Sequence, residues 1–133
     1  MDTSVVIDIV GGDASWSGWS TTALAEARGR DQLAINDIVY AELAAGFENA
    51  HALQSSLDDL QLSLIRVPIE ALFLAGHAFR RYHRSGGAKA NVLSDFFIGA
   101  HAAVSRAPLL TRDTARIRAH FPTVELLAPP SST

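Results

Sequence analysis

The chain has 133 residues, a net charge of −3 and 48% hydrophobic residues, which is typical of one globular domain and excludes a disordered or strongly nucleic-acid-attracting chain. It contains no cysteine, which excludes disulfides, thiolate metal sites and cysteine nucleophiles and fits a reducing cytoplasm. No apolar run reaches the ~18 residues of a membrane span and no signal peptide is recognised, so we expect a cytoplasmic protein without a membrane partner.

Helical and strand patterns alternate along the chain. Apolar spacing and turn residues predict helices over residues 17–28, 36–47, 49–60, 68–85, 95–105 and 114–120, and strands over 33–35, 62–67, 108–111 and 123–127. This alternation predicts an α/β fold, a three-layer α/β/α sandwich with a short, mainly parallel central sheet. We expect residues 1–128 to form a single domain and residues 129–133 a flexible tail.

Several residues predict how these helices begin and which side they bury. Asn36 and Ser94 are placed as N-caps, and Pro68 stands just inside the start of its helix. In the helix after Pro68, the apolar positions fall on one face, which comprises Ile69, Leu72, Phe73, Gly76 and Phe79.

Four acidic residues stand beside apolar runs, where a carboxylate is costly unless it has a role: Asp2, Glu42, Asp95 and Asp113. Carboxylates gathered from distant parts of a chain hold a hard cation or pair with buried bases. The chain has one lysine and its arginines cluster elsewhere, which favours the cation. Ligands of α/β sheets bind beyond the carboxyl ends of the strands, and oxygen ligands select Mg²⁺ or Mn²⁺.

Each acid taken alone has a second interpretation. Asp95 could be an acid favoured by the dipole at a helix start, and Asp113 could be a turn residue. The four acids together favour a site.

At these residues the chain resembles the PIN domain, and within it the VapC-type toxins of bacterial toxin–antitoxin pairs. The resemblance rests on four segments in order: Asp2-Thr3-Ser4-Val5-Val6-Ile7-Asp8, Val39-Tyr40-Ala41-Glu42-Leu43, Asp95-Phe96-Phe97-Ile98-Gly99-Ala100-His101-Ala102, and Thr111-Arg112-Asp113 followed by Phe121-Pro122. The match spans essentially the whole chain. In the family a buried strand precedes the first aspartate, whereas here only Met1 precedes Asp2.

The resemblance implies a metal-dependent endoribonuclease that hydrolyses RNA phosphodiester bonds, is the toxin of a pair, forms a homodimer and binds a cognate antitoxin. Asp2 and Asp95 would be direct ligands of Mg²⁺, with Mn²⁺ as an alternative ion and Asp8 as the reserve for Asp2. Glu42 and Asp113 would complete the acidic pocket, by binding a second ion or orienting water. The hydroxyls of Ser4 and Thr111 would orient the carboxylates or a metal-bound water.

Basic residues cluster before the acidic helix. Arg80, Arg81, Arg84 and Lys89 would contact the RNA backbone, or else form a solvated helix end favoured by the dipole. Arg112 and Arg116 flank Asp113 and would hold RNA or pair with the acids, with pairing slightly favoured.

Two other functions are compatible with a small α/β domain that has an acidic pocket. A phosphate-accepting receiver domain needs paired acids after its first strand and a lysine after its last, and the only lysine, Lys89, lies in a predicted loop. A catalytically weakened PIN-fold module that only engages its antitoxin or RNA stays as the alternative.

Overall fold

The elements follow the predicted order in the computed structural model, which describes residues 1, 5–6, 17–28, 33–84, 93–111 and 114–128. Val5 and Val6 are helical and buried. The other elements are α1 (Ser17–Arg28), β1 (Leu33–Asn36), α2 (Asp37–Ala44), α3 (Ala50–Asp59), β2 (Leu62–Ile65), α4 (Ile69–Arg84), α5 (Leu93–Ser105), β3 (Leu109–Leu110), α6 (Ala115–His120) and β4 (Leu126–Leu127). None of these helices is long and apolar enough to cross a membrane.

The strands form two parallel pairs within the described residues. β1 pairs with β2 from Leu33 opposite Leu62 to Asn36 opposite Ile65, and β3 pairs with β4 over two residues. The predicted α/β class with a short parallel sheet is confirmed. β2, β3 and β4 are shorter than predicted, whereas β1 extends one residue further, to Asn36. Among the described residues, β1 and β3 are not joined to each other in one ladder.

The strand predicted to reach Val67 ends at Ile65, because the Val67 N–H donates to a side-chain carboxylate instead of to a neighbouring strand. Asp37, at the start of α2, accepts the Val67 N–H at 3.1 Å and pairs with Arg66 at 3.2 Å. A charged acceptor makes a strong hydrogen bond, so the chain leaves the ladder at this point. Asp37 therefore fixes the end of β2 against the beginning of α2.

Side-chain caps define two of the helix starts. The Oδ1 atoms of Asn36 and Asn49 accept the N–H groups of Val39 at 2.9 Å and Ala52 at 2.8 Å, which satisfies main-chain donors that have no partner inside the helix. The predicted cap at Ser94 is wrong, because α5 begins at Leu93 and includes Ser94 in its first turn.

The interface between α4 and α5 is the most extensive helix contact, and its buried side differs from the predicted one. Ala71, Ala75 and Ala78 are fully buried, whereas Ile69 is 75% and Phe73 70% exposed. Alanine allows two helix backbones to approach closely, so the small face of α4 packs inward, whereas Ile69, Leu72 and Phe73 point outward. Of the predicted apolar face, Phe79 packs against the core.

Phe96 is the centre of an aromatic cluster that joins α4, α5 and the end of α6. Its side chain is fully buried, and the neighbouring ring centroids are those of His120 at 4.9 Å, Tyr82 at 5.5 Å, Phe79 at 5.7 Å and Phe121 at 6.2 Å. His120 thus packs within this cluster. Edge-to-face pairs of this kind add to the stabilisation from burial.

Candidate active site

Glu42 lies on α2, one of the two helices that carry the predicted site acids within the described residues. The Asn36 cap and the acidic Asp37 in the first turn favour the start of this helix, and Val39 and Leu43 bury its inner side. Glu42 is on the exposed side of the same helix. Its carboxylate is therefore held at the surface by a helix that is anchored at its beginning and along its inner face.

Asp95 lies in the first turn of α5 and is half-buried. The residue that follows it, Phe96, is buried, and its ring contacts those of Phe79, Tyr82 and Phe121, which anchors this turn of α5 in the core. The N–H groups at a helix start favour an anion at this position. α2 packs directly against α5, so the structure places the helices of Glu42 and Asp95 in contact.

Thr111 is fully buried at the end of β3, and its N–H donates to the Leu127 carbonyl at 3.1 Å. This contact fixes the main chain just before Arg112 and Asp113. The predicted residues Asp2, Ser4, Asp8, Lys89, Arg112 and Asp113 lie outside the described residues.

Three of the basic residues predicted to contact RNA lie on α4, the helix that packs beside Asp95. Arg80 and Arg81 are exposed near the end of α4, and Arg84 is its last residue. Because Phe79 and Tyr82 contact Phe96, this end of α4 is next to the start of α5. Positive charge therefore lies close to the first turn of α5, which carries Asp95.

A hydrogen bond that was not predicted joins the two acid-bearing helices. The side-chain amide nitrogen of Asn36 lies 3.2 Å from Nδ1 of His101 on α5. Because the Asn36 oxygen already accepts the Val39 N–H, the amide nitrogen must face His101 as a donor, and His101 must accept through a neutral Nδ1. The predicted N-cap at Asn36 could have indicated this bond, because the side-chain amide of a capping asparagine still has two N–H donors that need acceptors.

The surroundings of His101 favour its neutral form. Burial lowers the pKa of His101 from its usual value of 6.5, the positive charge of the Met1 amino group lowers the pKa further, and Asp37 opposes both. The hydrogen bond from Asn36 acts in the same direction, because a proton on Nδ1 would face another donor.

We expect stability to fall as the pH decreases because of His101. Its folded-state pKa is lower than its unfolded-state pKa, so the unfolded chain binds the proton more readily, and the stabilisation present above pH ~6.5 is lost at lower pH. Melting temperatures measured from pH 8 to pH 5 should decline less in His101→Gln than in the parent chain. His51→Gln, at an exposed position on α3, is the matched control and should keep the parent decline. Parallel curves for the parent and His101→Gln would contradict the expectation.

The described residues fit part of a hard-cation site. Glu42 and Asp95 supply carboxylate oxygens, which are the donors that Mg²⁺ and Mn²⁺ take, and Mg²⁺ needs only one or two protein carboxylates. Among the residues that the structure describes, no group of three or more histidine or acidic side chains could hold a metal. The remaining two predicted acids, Asp2 and Asp113, lie outside that part of the chain.

The sequence matches the family model of the PIN domain over residues 1–121. The expected resemblance to the PIN family is confirmed. No curated protein is found to match the chain.

Three solved structures with the same fold are toxin–antitoxin complexes. A chain of VapBC2 from Rickettsia felis, bound to a DNA fragment from its promoter, has 22% identity and a TM-score of 0.71, covering 95% of this chain and 94% of that one. A toxin–antitoxin complex from Klebsiella pneumoniae has 25% identity and a TM-score of 0.62, covering 92% of both chains. DNA-bound VapBC from Salmonella typhimurium has 18% identity and a TM-score of 0.59, covering 80% and 83%.

Proposed function

Because this chain belongs to the PIN domain family, we propose that it is a VapC-type toxin that cleaves RNA as a metal-dependent endoribonuclease. The family match over residues 1–121 is the observation that carries the proposal, and the similarity to toxin–antitoxin complexes supports the toxin role. We also propose that the protein acts in the cytoplasm, as expected from its lack of cysteine.

The acids would hold the cation. Asp2 and Asp95 are proposed as direct ligands of Mg²⁺ or Mn²⁺, and Asp8 would replace Asp2 if Asp2 does not bind the ion. Glu42 and Asp113 are proposed to bind a second ion or to orient water. A bound divalent cation would activate water and neutralise charge that develops on the phosphoryl oxygens. The contact between α2 and α5 supports this assignment, because it holds the helices of Glu42 and Asp95 together.

Two hydroxyl groups would orient the groups that take part in the reaction. Ser4 and Thr111 are proposed to fix the carboxylates or a metal-bound water. Thr111 suits this role because it is buried and follows a paired strand residue. The Asn36–His101 hydrogen bond would keep the spacing of α2 and α5, and hence of the two acids, constant.

RNA would approach along the end of α4. Arg80 and Arg81 are exposed there beside the start of α5, which supports contacts with backbone phosphates. Arg84, Lys89 and Arg112 are proposed to extend this path. Phosphate contacts of this kind position a strand without reading its sequence.

An exposed apolar surface supports the partner part of the proposal. Ile69, Leu72 and Phe73 on α4 and Leu64 and Ile65 on β2 are all at least 41% exposed. An apolar group of this kind on a small domain marks a protein contact. A cognate antitoxin and a second copy of the chain are the partners that we propose.

The proposed activity is tested with purified protein and single-stranded RNA. We expect cleavage with Mg²⁺ or Mn²⁺ and none in excess EDTA, together with growth arrest when the chain is expressed without a partner. RNA that stays intact with either metal, combined with harmless overexpression, would favour the alternative of a PIN-fold module that only binds. Cleavage that persists in EDTA would contradict the metal mechanism.

A further inference from the structure

A single proton on His101 decides whether the Asn36–His101 hydrogen bond between α2 and α5 can form. Asn36 ends β1, is 6% exposed and uses its Oδ1 to accept the Val39 N–H at 2.9 Å. Its amide nitrogen, 3.2 Å from Nδ1 of His101, can only donate. Nδ1 therefore accepts this bond only while it carries no proton, which places the proton of the neutral ring on Nε2.

Asn36 cannot turn its amide to suit a protonated His101 without a loss elsewhere. Turning the amide would offer its oxygen to the ring, but it would take that oxygen away from the Val39 N–H, which is buried. A buried main-chain N–H without an acceptor is costly, and α2 would lose its N-cap. Protonation of His101 thus breaks either the contact with α5 or the cap of α2, and each break loosens the beginning of α2.

Two charged groups in the described part of the chain act on His101 in opposite directions. Burial has the largest effect and lowers the pKa of His101 from 6.5, the Met1 amino group lowers this pKa further, and Asp37 raises it. The other charged residues on α2, α4 and α6 whose side chains the structure describes are exposed, namely Glu42, Glu70, Arg80, Arg81 and Arg118. His101 is therefore predominantly neutral at pH 7, and because its ring is only half-buried, protons from mildly acidic solution can reach it.

We propose that the Asn36–His101 pair is a proton-dependent latch between α2 and α5, closed while His101 is neutral and open when it is protonated. Each partner stands six positions from the acid that its helix carries, with Glu42 after Asn36 and Asp95 before His101. Six helical positions span about 9 Å, so the latch acts on the acids through the two helices, and both partners are positioning residues.

The latch gives the spacing of the acids a dependence on pH. When it opens, the beginning of α2 is no longer held on α5, so Glu42 and Asp95 lose their fixed spacing, and RNA cleavage should slow in mildly acidic solution. This effect on cleavage rests on the proposed function, whereas the latch itself does not.

The latch is tested first by NMR on the isotope-labelled full chain, without RNA. At pH 8 the ring nitrogens of His101 should show an unprotonated Nδ1. During a titration from pH 8 to pH 5, the side-chain amide signals of Asn36 should shift with the same midpoint as the His101 ring, below pH 6.5. They should shift in the same way in His77→Asn, which changes an exposed histidine on α4, and should show no such titration in His101→Asn.

The consequence for the acids is tested by the pH dependence of RNA cleavage at saturating Mn²⁺. In His101→Asn the side-chain oxygen can take the place of Nδ1 as the acceptor, and it binds no proton in this pH range. The parent and His101→Asn should cleave within about twofold of each other at pH 8, and the parent should lose about threefold or more relative to His101→Asn by pH 5. His77→Asn should follow the parent. Effects of pH on the metal and the RNA are common to all three chains and cancel in the ratio.

Asn36 signals that stay constant while His101 titrates, or a proton on Nδ1 at pH 8, would overturn the latch. If the Asn36 signals move but the parent keeps a constant rate relative to His101→Asn, the latch does not control the acids and the regulatory part of the proposal fails. RNA that stays intact with every chain at every pH contradicts the proposed function instead, and the NMR titration then decides the latch alone. His101→Gln, which also carries a neutral acceptor, repeats the comparison should His101→Asn not fold.

Discussion

Asp95→Asn is expected to reduce metal-dependent RNA cleavage by about 100-fold or more, the scale of losing one preorganised electrostatic group. The substitution keeps the shape of the side chain and removes the negative charge that would bind the cation. It should leave the fold intact, because Asp95 is only half-buried and its favourable interaction with the start of α5 contributes about 0.3–1 kcal/mol. Cleavage rates at saturating Mg²⁺, measured alongside melting temperature, test the expectation.

Two further variants make the result specific to the site. Asp59→Asn removes an equivalent charge from an exposed position on α3 and should keep full activity. Glu42→Gln should also lose activity, because Glu42 lies on the helix that packs against α5. If Asp95→Asn cleaves RNA as fast as Asp59→Asn while both are folded, Asp95 is not a metal ligand, and its acidity serves only the helix start.

The sequence predicted the order of the elements well because local signals are strong in this chain. Asn36 and Asn49 cap their helices, and Gly29 follows the last residue of α1. These features depend on a few neighbouring residues and need no knowledge of the tertiary structure. The family resemblance also required only the motifs and their spacing.

The predictions that were wrong concern features that tertiary contacts determine, namely the buried face of α4 and the end of β2. The periodicity of α4 gives two plausible inner faces, and the closely packed α5 selected the one with Ala71, Ala75 and Ala78 over the one with Phe73. Apolar spacing alone does not reveal how near a neighbouring helix comes. The end of β2 was misplaced because the acceptor of the Val67 N–H, Asp37, is thirty positions away in sequence.

In the candidate site, too, the residues within local motifs were predicted and a long-range contact was not. Glu42 and Asp95 were found from their motifs, because each motif lies within one helix. The Asn36–His101 bond was missed because it joins residues that are 65 positions apart. Nothing in the sequence around His101 indicates a hydrogen-bond partner at the start of another helix. Long-range polar contacts of this kind need a structure.

Gly99→Ala is expected to destabilise the fold by roughly 1–2 kcal/mol, although alanine favours helices more than glycine does. A Cβ atom at Gly99 would lie 2.6 Å from Cδ2 of Phe121 and 3.0 Å from Cδ1 of Ile117. Both of these side chains are buried, so neither can move aside without disturbing the core. Glycine at this position lets α6 and Phe121 pack directly against the backbone of α5.

Gly76→Ala is the matched control, because Gly76 also lies inside a helix but has an exposed position with nothing within 4 Å of a new Cβ. It should stabilise the protein by about 0.5–1 kcal/mol through helix propensity alone. The two variants should therefore shift the midpoint of urea unfolding in opposite directions, with unchanged dependence on urea. A Gly99→Ala midpoint at or above that of the parent would mean that Phe121 is not held against α5. The aromatic cluster around Phe96, the residue after Asp95, would then be looser than its ring distances indicate.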